Sequence, residues 1–148
     1  PEIKSFMLKV ARVHGERHPE LEEMKELVMD VHDEMMDHMV DEENDLFPTI
    51  KELVKAKNNS GSYAASSAET FEEMIAVTEK EHDSVGRAME KIRKLSDDYA
   101  IPSDACTSYK LLYKMLEEFE SDLFIHIHLE NNILFPKAIE IERSLAGK

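Results

Sequence analysis

Two stretches of this chain carry residue types that could do chemistry together. Residues 38–48 read HMVDEENDLFP and residues 126–136 read HIHLENNILFP. Six of the eleven positions agree: His38/His126, Glu42/Glu130, Asn44/Asn132, Leu46/Leu134, Phe47/Phe135 and Pro48/Pro136. On a helix, the His and Glu of H-x3-E lie one turn apart on the same face. Imidazole nitrogen and carboxylate oxygen presented together suit iron, manganese or zinc. A carboxylate has two oxygens, so each Glu can bridge a pair of ions. Two copies facing one another would offer two imidazoles and two carboxylates.

The neighbours say which way these pairs face. Met35 and Leu123 lie three residues before each His, and Leu46 and Leu134 lie eight after, so each His–Glu pair falls within an apolar stripe. Burying an ionised carboxylate with no partner costs several kcal/mol or more, and a metal ion supplies the missing charge. Terminal imidazoles can complete the coordination. His82 lies between Thr78 and Val85 on another apolar stripe, and His14 follows Val10 and Val13. The expected ligands of a dinuclear site are therefore His14, His38, His82, His126, Glu42 and Glu130.

The remaining histidines serve as controls. His18, one turn after His14, is the substitute ligand. His32 is about 120° around a helix from His38, and His128 faces away from His126. Glu79, Glu81 and Asp83 read as a solvated face around His82, and the nine Met residues as core filler rather than ligands. No H-E-x-x-H helix, phosphate-binding Gly loop, G-x-S-x-G turn or ferritin-like E-x-x-H pattern is present.

Helices must position these groups. Period-2 alternation is absent, whereas Ile3, Phe6, Met7, Val10 and Val13 recur at helical spacing up to Gly15. Pro19 can open a second helix, with Glu20, Glu22 and Glu23 at its positive end. Its stripe runs through Leu21, Met24, Leu27, Val28, Val31, Met35, Met39 and Leu46, and Pro48 should break or kink it. NNSGSYAASS (58–67) is loop-like, and Ser66 to Glu69 makes a capping box for a third helix. That helix presents Phe71, Met74, Ile75, Thr78, His82, Val85, Met89 and Ile92. After SDDYAIPSD, a fourth, capped by Ser103 or Asp104, presents Tyr109, Leu112, Tyr113, Leu116, Phe119 and Leu123. Short connections between four main segments predict an all-α, antiparallel four-helix bundle.

The bulk properties narrow the partners. One domain of 148 residues can bury a single core, and a net charge of −14 repels nucleic acid and anionic membranes. No apolar run approaches membrane-spanning length and no secretory signal is visible. A single cysteine, Cys106, makes neither an internal disulfide nor a Cys-based zinc site, reads as a buried or half-buried thiol, and is compatible with a cytoplasmic location.

KVARVHGE around His14, HMVDEENDLFP, EKEHDSVG around His82, PSDACTSYK around Cys106 and HIHLENNILFP together resemble the hemerythrin-like family. Within that family they are most similar to the proteins for repair of iron centres. The resemblance implies two non-haem iron ions with an oxo or hydroxo bridge. It makes His14, His38, His82 and His126 terminal ligands and Glu42 and Glu130 bridges. It also implies repair of iron-sulfur clusters after nitrosative or oxidative damage by iron donation, with damaged or apo iron-sulfur proteins as partners. An O2- or NO-binding carrier or sensor, and an enzyme reducing NO or peroxide, are the alternatives. The family pattern has one more histidine upstream of Pro1 and a small N-terminal domain with paired cysteines. Solvent, a neighbouring chain in a homodimer, or His18 would fill the missing ligand position.

Overall fold

The computed structural model describes residues 2–58 and 71–146. The protein has the expected all-α fold, a bundle of four helical segments, two of which continue through a π turn. Its described elements are α1 (Glu2–His14), α2 (Glu20–Asp41), α3 (Phe47–Asn58), α4 (Phe71–Leu95), α5 (Thr107–Leu129) and α6 (Phe135–Ala146). A single π-helical turn, Glu42–Leu46, joins α2 to α3, and a second, Glu130–Leu134, joins α5 to α6. The capping box at Ser66–Glu69 lies outside the described residues.

The chain divides into two compact units. The first comprises Pro1–Met35 and Ser84–Phe124. Its core is built from Met7 and Val10 of α1, Leu21, Met24, Val28 and Val31 of α2, Val85, Met89 and Ile92 of α4, and Tyr109, Leu112, Tyr113 and Leu116 of α5, all buried. Val13, expected on the α1 stripe, is exposed instead. It lies one residue from the end of the helix, beyond the buried Met7, Val10 and Ala11. Gly15 directly follows α1 at a position without room for a side chain, since a Cβ there would sit 2.4 Å from the Ala11 carbonyl oxygen. Beyond α4, Asp97, Asp98 and Tyr99 all take positive φ, between 55° and 60°. This left-handed run costs roughly 1–2 kcal/mol per residue. Opposing that cost, the Tyr99 amide donates to Ser96 Oγ at 3.0 Å, and the Tyr99 hydroxyl donates to the buried Glu120 at 3.4 Å.

The second unit comprises Met36–Asp83 and Ile125–Lys148. Leu46 and Leu53, Phe71 and Ile75, and Phe135 and Ala138 form its apolar core, with Ile50, Met74, Leu134 and Ile139 packed around it. Helix α3 lies against α6. Met39, expected in the core, is exposed, because the buried face of this stretch passes through His38 and Glu42 instead.

Neither proline breaks its helix. Pro48 and Pro136 are the second residues of α3 and α6, directly after the π turns, where the helical ladder is already interrupted by the wide bond. Each π turn closes with a wide bond, the Phe47 amide donating to the Glu42 carbonyl and the Phe135 amide to the Glu130 carbonyl. The wide turn also sets the facing of the core. On an uninterrupted α-helix, Leu46 would stand about 80° around from His38, since eight residues at about 100° each overshoot two turns. The extra residue taken up by the π turn brings it to within about 20°. The same holds for Leu134 and His126. One repeated sequence thus produces the same local device twice: ligand-type residues on one side of a π turn and core leucine on the other.

Candidate metal centre

Five of the expected residues meet within the second unit. His38, Glu42, His82, His126 and Glu130 each offer one nitrogen or oxygen, and these atoms all lie within 4.8 Å of one another. His38 and Glu42 come from the end of α2 and the first residue of its π turn. His126 and Glu130 repeat that arrangement at the end of α5, and α4 supplies His82. His38 Nε2 stands 2.8 Å from Glu42 Oε1, and His126 Nε2 stands 2.7 Å from Glu130 Oε1. His82 Nε2 lies 3.1 Å from the other oxygen of Glu130, and the other oxygen of Glu42 lies 3.9 Å from His126 Nε2. The ring of His82 stacks on Phe135, with planes 4° apart and centroids at 6.3 Å.

Burial is deep on one side and shallow on the other. The side chains of His38, Glu42, His82 and Glu130 are at most 5% exposed, whereas that of His126 is 44% exposed. Despite the short separations, His38 Nε2, Glu42 Oε1, His82 Nε2 and both Glu130 oxygens lack an aligned hydrogen bond. Buried polar atoms are rarely left so, since each costs about 1–3 kcal/mol. Atoms that crowd together without pointing at one another are arranged as ligands are around a shared cation.

The electrostatics agree. Burial alone would raise the Glu42 carboxyl, but the facing His38 and Glu130 outweigh it and hold Glu42 below the usual carboxylate range. Glu130 goes the other way: burial pushes it up, His82 partly opposes this, and the adjacent Glu42 pushes it further. Two buried carboxylates at close quarters do not both ionise readily without positive charge between them. His38 is raised to about 9: burial would lower it, but Glu42 and Glu81 together overcome that. The donor set therefore fits a metal ion, with imidazole nitrogen and carboxylate oxygen favouring iron, manganese or zinc over softer ions.

The outer face of two imidazoles is fixed as well. His38 Nδ1–H donates to Glu81 Oε2 at 2.9 Å, and His82 Nδ1–H donates to Asn131 Oδ1 at 2.9 Å. Sequence reasoning passed over both acceptors, placing Glu81 on a solvated face. The available signal was adjacency, since Glu81 precedes His82 and Asn131 follows Glu130.

His14 stands outside the five. It is the last residue of α1, in the first unit, where its Nε2 lies 3.2 Å from Cys106 Sγ and its ring meets Tyr109 edge-on. His18 lies in the same unit, with Nε2 2.8 Å from Asp104 Oδ1. Cys106 is exposed rather than buried, because it directly precedes the first residue of α5. His128 accepts from the Asn132 amide at 2.9 Å, and His32 neighbours Asp33 at 3.4 Å.

A fold of this kind around a buried His/Glu cluster defines a cation-binding helical bundle. The chain belongs to the hemerythrin family: residues 3–138 match the model of the hemerythrin HHE cation binding domain. It is 37% identical over 139 residues to the iron-sulfur cluster repair protein YtfE of Enterobacter sp. (strain 638), covering 94% of this chain and 57% of that protein. It is 38% identical over 139 residues to a probable iron-sulfur cluster repair protein of Haemophilus influenzae, covering 94% of this chain and 56% of that one. The YtfE of Yersinia pseudotuberculosis is 37% identical over 142 residues, with 96% and 58% covered. The chain thus spans a little over half the length of these relatives. Among the described residues, no helix is long and apolar enough to cross a membrane.

Proposed function

We propose that this chain holds a di-iron centre and serves in the repair of damaged iron-sulfur clusters, with iron as the cargo delivered. The observation that carries the reading is the set of buried, unaligned nitrogen and oxygen atoms of His38, Glu42, His82 and Glu130, with the half-exposed His126 closing the cluster. The named role of the relatives supports the functional half of it. Bound iron would supply redox-active, exchangeable metal. The chain's own residues do the rest. Glu42 and Glu130 would supply the neutralising carboxylates, and His38, His82 and His126 would supply neutral nitrogen donors. Thiolates are absent from the five-residue cluster, so iron would be held there by nitrogen and oxygen donors alone, without the bonds of a cysteine cage. The partners would be damaged or apo iron-sulfur proteins in a reducing cytoplasm.

The half-exposed His126 favours a second reading, in which a diatomic such as O2 or NO reaches the centre for binding or reduction. One set of measurements separates these readings. The purified chain is loaded anaerobically, its iron is counted and its optical spectrum recorded, and transfer to an apo iron-sulfur protein is compared with NO consumption. A pair of irons per chain and transfer to the apo-protein support repair. A fully folded chain that takes up no iron sinks the site. A loaded chain that consumes NO but transfers nothing favours the second reading.

A further inference from the structure

The two buried imidazoles are backed by different acceptors. His38 donates from Nδ1 to a carboxylate, Glu81, and His82 donates from Nδ1 to a neutral amide oxygen, Asn131, both at 2.9 Å. We propose that Glu81 and Asn131 are positioning residues that set the two metal positions apart, each governing the ion bound through its own histidine. The inference rests on the reading of the five-residue cluster as a metal centre.

The geometry supplies the orientation. Each Nδ1–H bond fixes both the ring plane and the tautomer, leaving Nε2 as the lone-pair donor on the cluster side. His38 and His82 are buried, and their Nε2 atoms lie within 4.8 Å of the other donors, so no other orientation serves the site. The support is also interlaced. Glu81 sits next to the ligand His82 on α4 but backs His38 of α2. Asn131 sits next to Glu130 in the second π turn but backs His82 of α4.

The chemistry supplies the inequality. An anionic acceptor draws on the N–H proton more strongly than a neutral one, which makes the opposite nitrogen a better donor to a cation. It also places a further negative charge near the ion that His38 holds. The surroundings of the two carboxylates differ as well: His82 and His126 both lie within 3.1 Å of Glu130, whereas Glu42 has His38 at 2.8 Å and His126 only at 3.9 Å. The repeat does not impose the difference. The position after the carboxylate is Asn131 in one copy and Glu43 in the other, and Glu43 is exposed.

Stepwise anaerobic titration with Fe(II), and with Co(II) for its absorption bands, against a competing chelator tests this. The chains compared are the unaltered protein, Glu81→Gln and Asn131→Leu. The unaltered chain is expected to take up metal in two unequal steps. Glu81→Gln keeps an acceptor but removes the charge, and should weaken one step about tenfold while leaving the other within about twofold. Asn131→Leu should weaken the other step, by about 10–100-fold, and shift a different set of Co(II) bands. The Glu81 side chain is 35% exposed, so its exchange leaves the core intact. If Asn131→Leu does not fold, Asn131→Ser provides the same comparison. Equal weakening of both steps by each variant, or no change in either, overturns the inference while leaving the metal centre standing. A folded, unaltered chain that binds no metal overturns both.

Discussion

His38 Nε2 and Glu42 Oε1 stand 2.8 Å apart with both side chains at least 95% buried, yet they make no aligned hydrogen bond. The pair lies one helical turn apart, at the point where α2 widens into a π turn. His126 and Glu130 stand in the same relation at 2.7 Å. Proximity without alignment is what a shared cation between them would require.

Removing either buried carboxylate of the cluster should therefore cost metal before it costs fold. Glu42→Gln and Glu130→Gln are expected to lower iron occupancy by more than half. His32→Gln and His128→Gln, at residues outside the cluster, should leave it unchanged. Iron counted per chain after desalting, with circular dichroism to confirm the helices, decides the matter. Equal losses in all four variants would refute the assignment of ligands.

Protons should act on the metal-free and metal-bound forms in opposite directions. His38 is raised to about 9 from 6.5, so its imidazolium contributes stability that is fully present below about 6.5 and lost as pH rises through about 9. The unfolding midpoint of the metal-free chain should fall across that window. Metal binding must instead displace the Nε2 proton, so affinity should rise over the same window, by up to about tenfold per pH unit. Titrations in buffers of different ionisation enthalpy would count the proton released. Affinity independent of pH between 6.5 and 9 would contradict this.

Phe135 joins the core to the site. It is fully buried among Leu46, Leu53, Phe71 and Ile75, and its ring is stacked on His82. Phe135→Ala should destabilise the fold by roughly 3–5 kcal/mol through the cavity it leaves. Phe135→Leu should cost under about 1.5 kcal/mol while still removing the flat surface under the imidazole. Urea unfolding measures the first effect. Weaker metal binding by the Leu variant, at nearly unchanged stability, would isolate the second.

A separate polar anchor holds the first unit. Buried Glu120 accepts from Arg93 Nε at 2.9 Å and also from the Arg93 terminal nitrogen and the Tyr99 hydroxyl. Arg93 is 40% exposed and can turn to water when its partner is lost, so Glu120→Ala should cost about 2–3 kcal/mol, less than a fully buried pair would. Chemical denaturation gives the value, and metal content per folded chain should not change.

Much of this architecture could be read from residue spacing. On α4, Phe71, Ile75, Thr78, His82, Val85, Met89 and Ile92 are all buried, as their spacing requires, because no special backbone geometry interrupts them. The repeated H-x3-E pairs likewise carry their own geometry, one helical turn. Three features were not legible. Val13 and Met39 fit the apolar period yet face solvent, since periodicity alone does not say where a helix stops being covered. The π turns escaped notice because nothing in the composition of EENDL or ENNIL announces a wide hydrogen bond. The partners of His14 and His38 depend on chain segments 92 and 43 residues away, which local pattern cannot pair.

The unequal exposure of the three imidazoles separates how fast metal moves from how tightly it is held. Among the described residues His38 and His82 are at most 3% exposed and His126 is 44% exposed, so an ion held here would meet a chelator on the His126 side. An ion held in such a centre would be retained by the buried donors and would exchange at the rate set by access beside His126. Bulk added around His126 would then lengthen the residence time of the metal without changing its affinity.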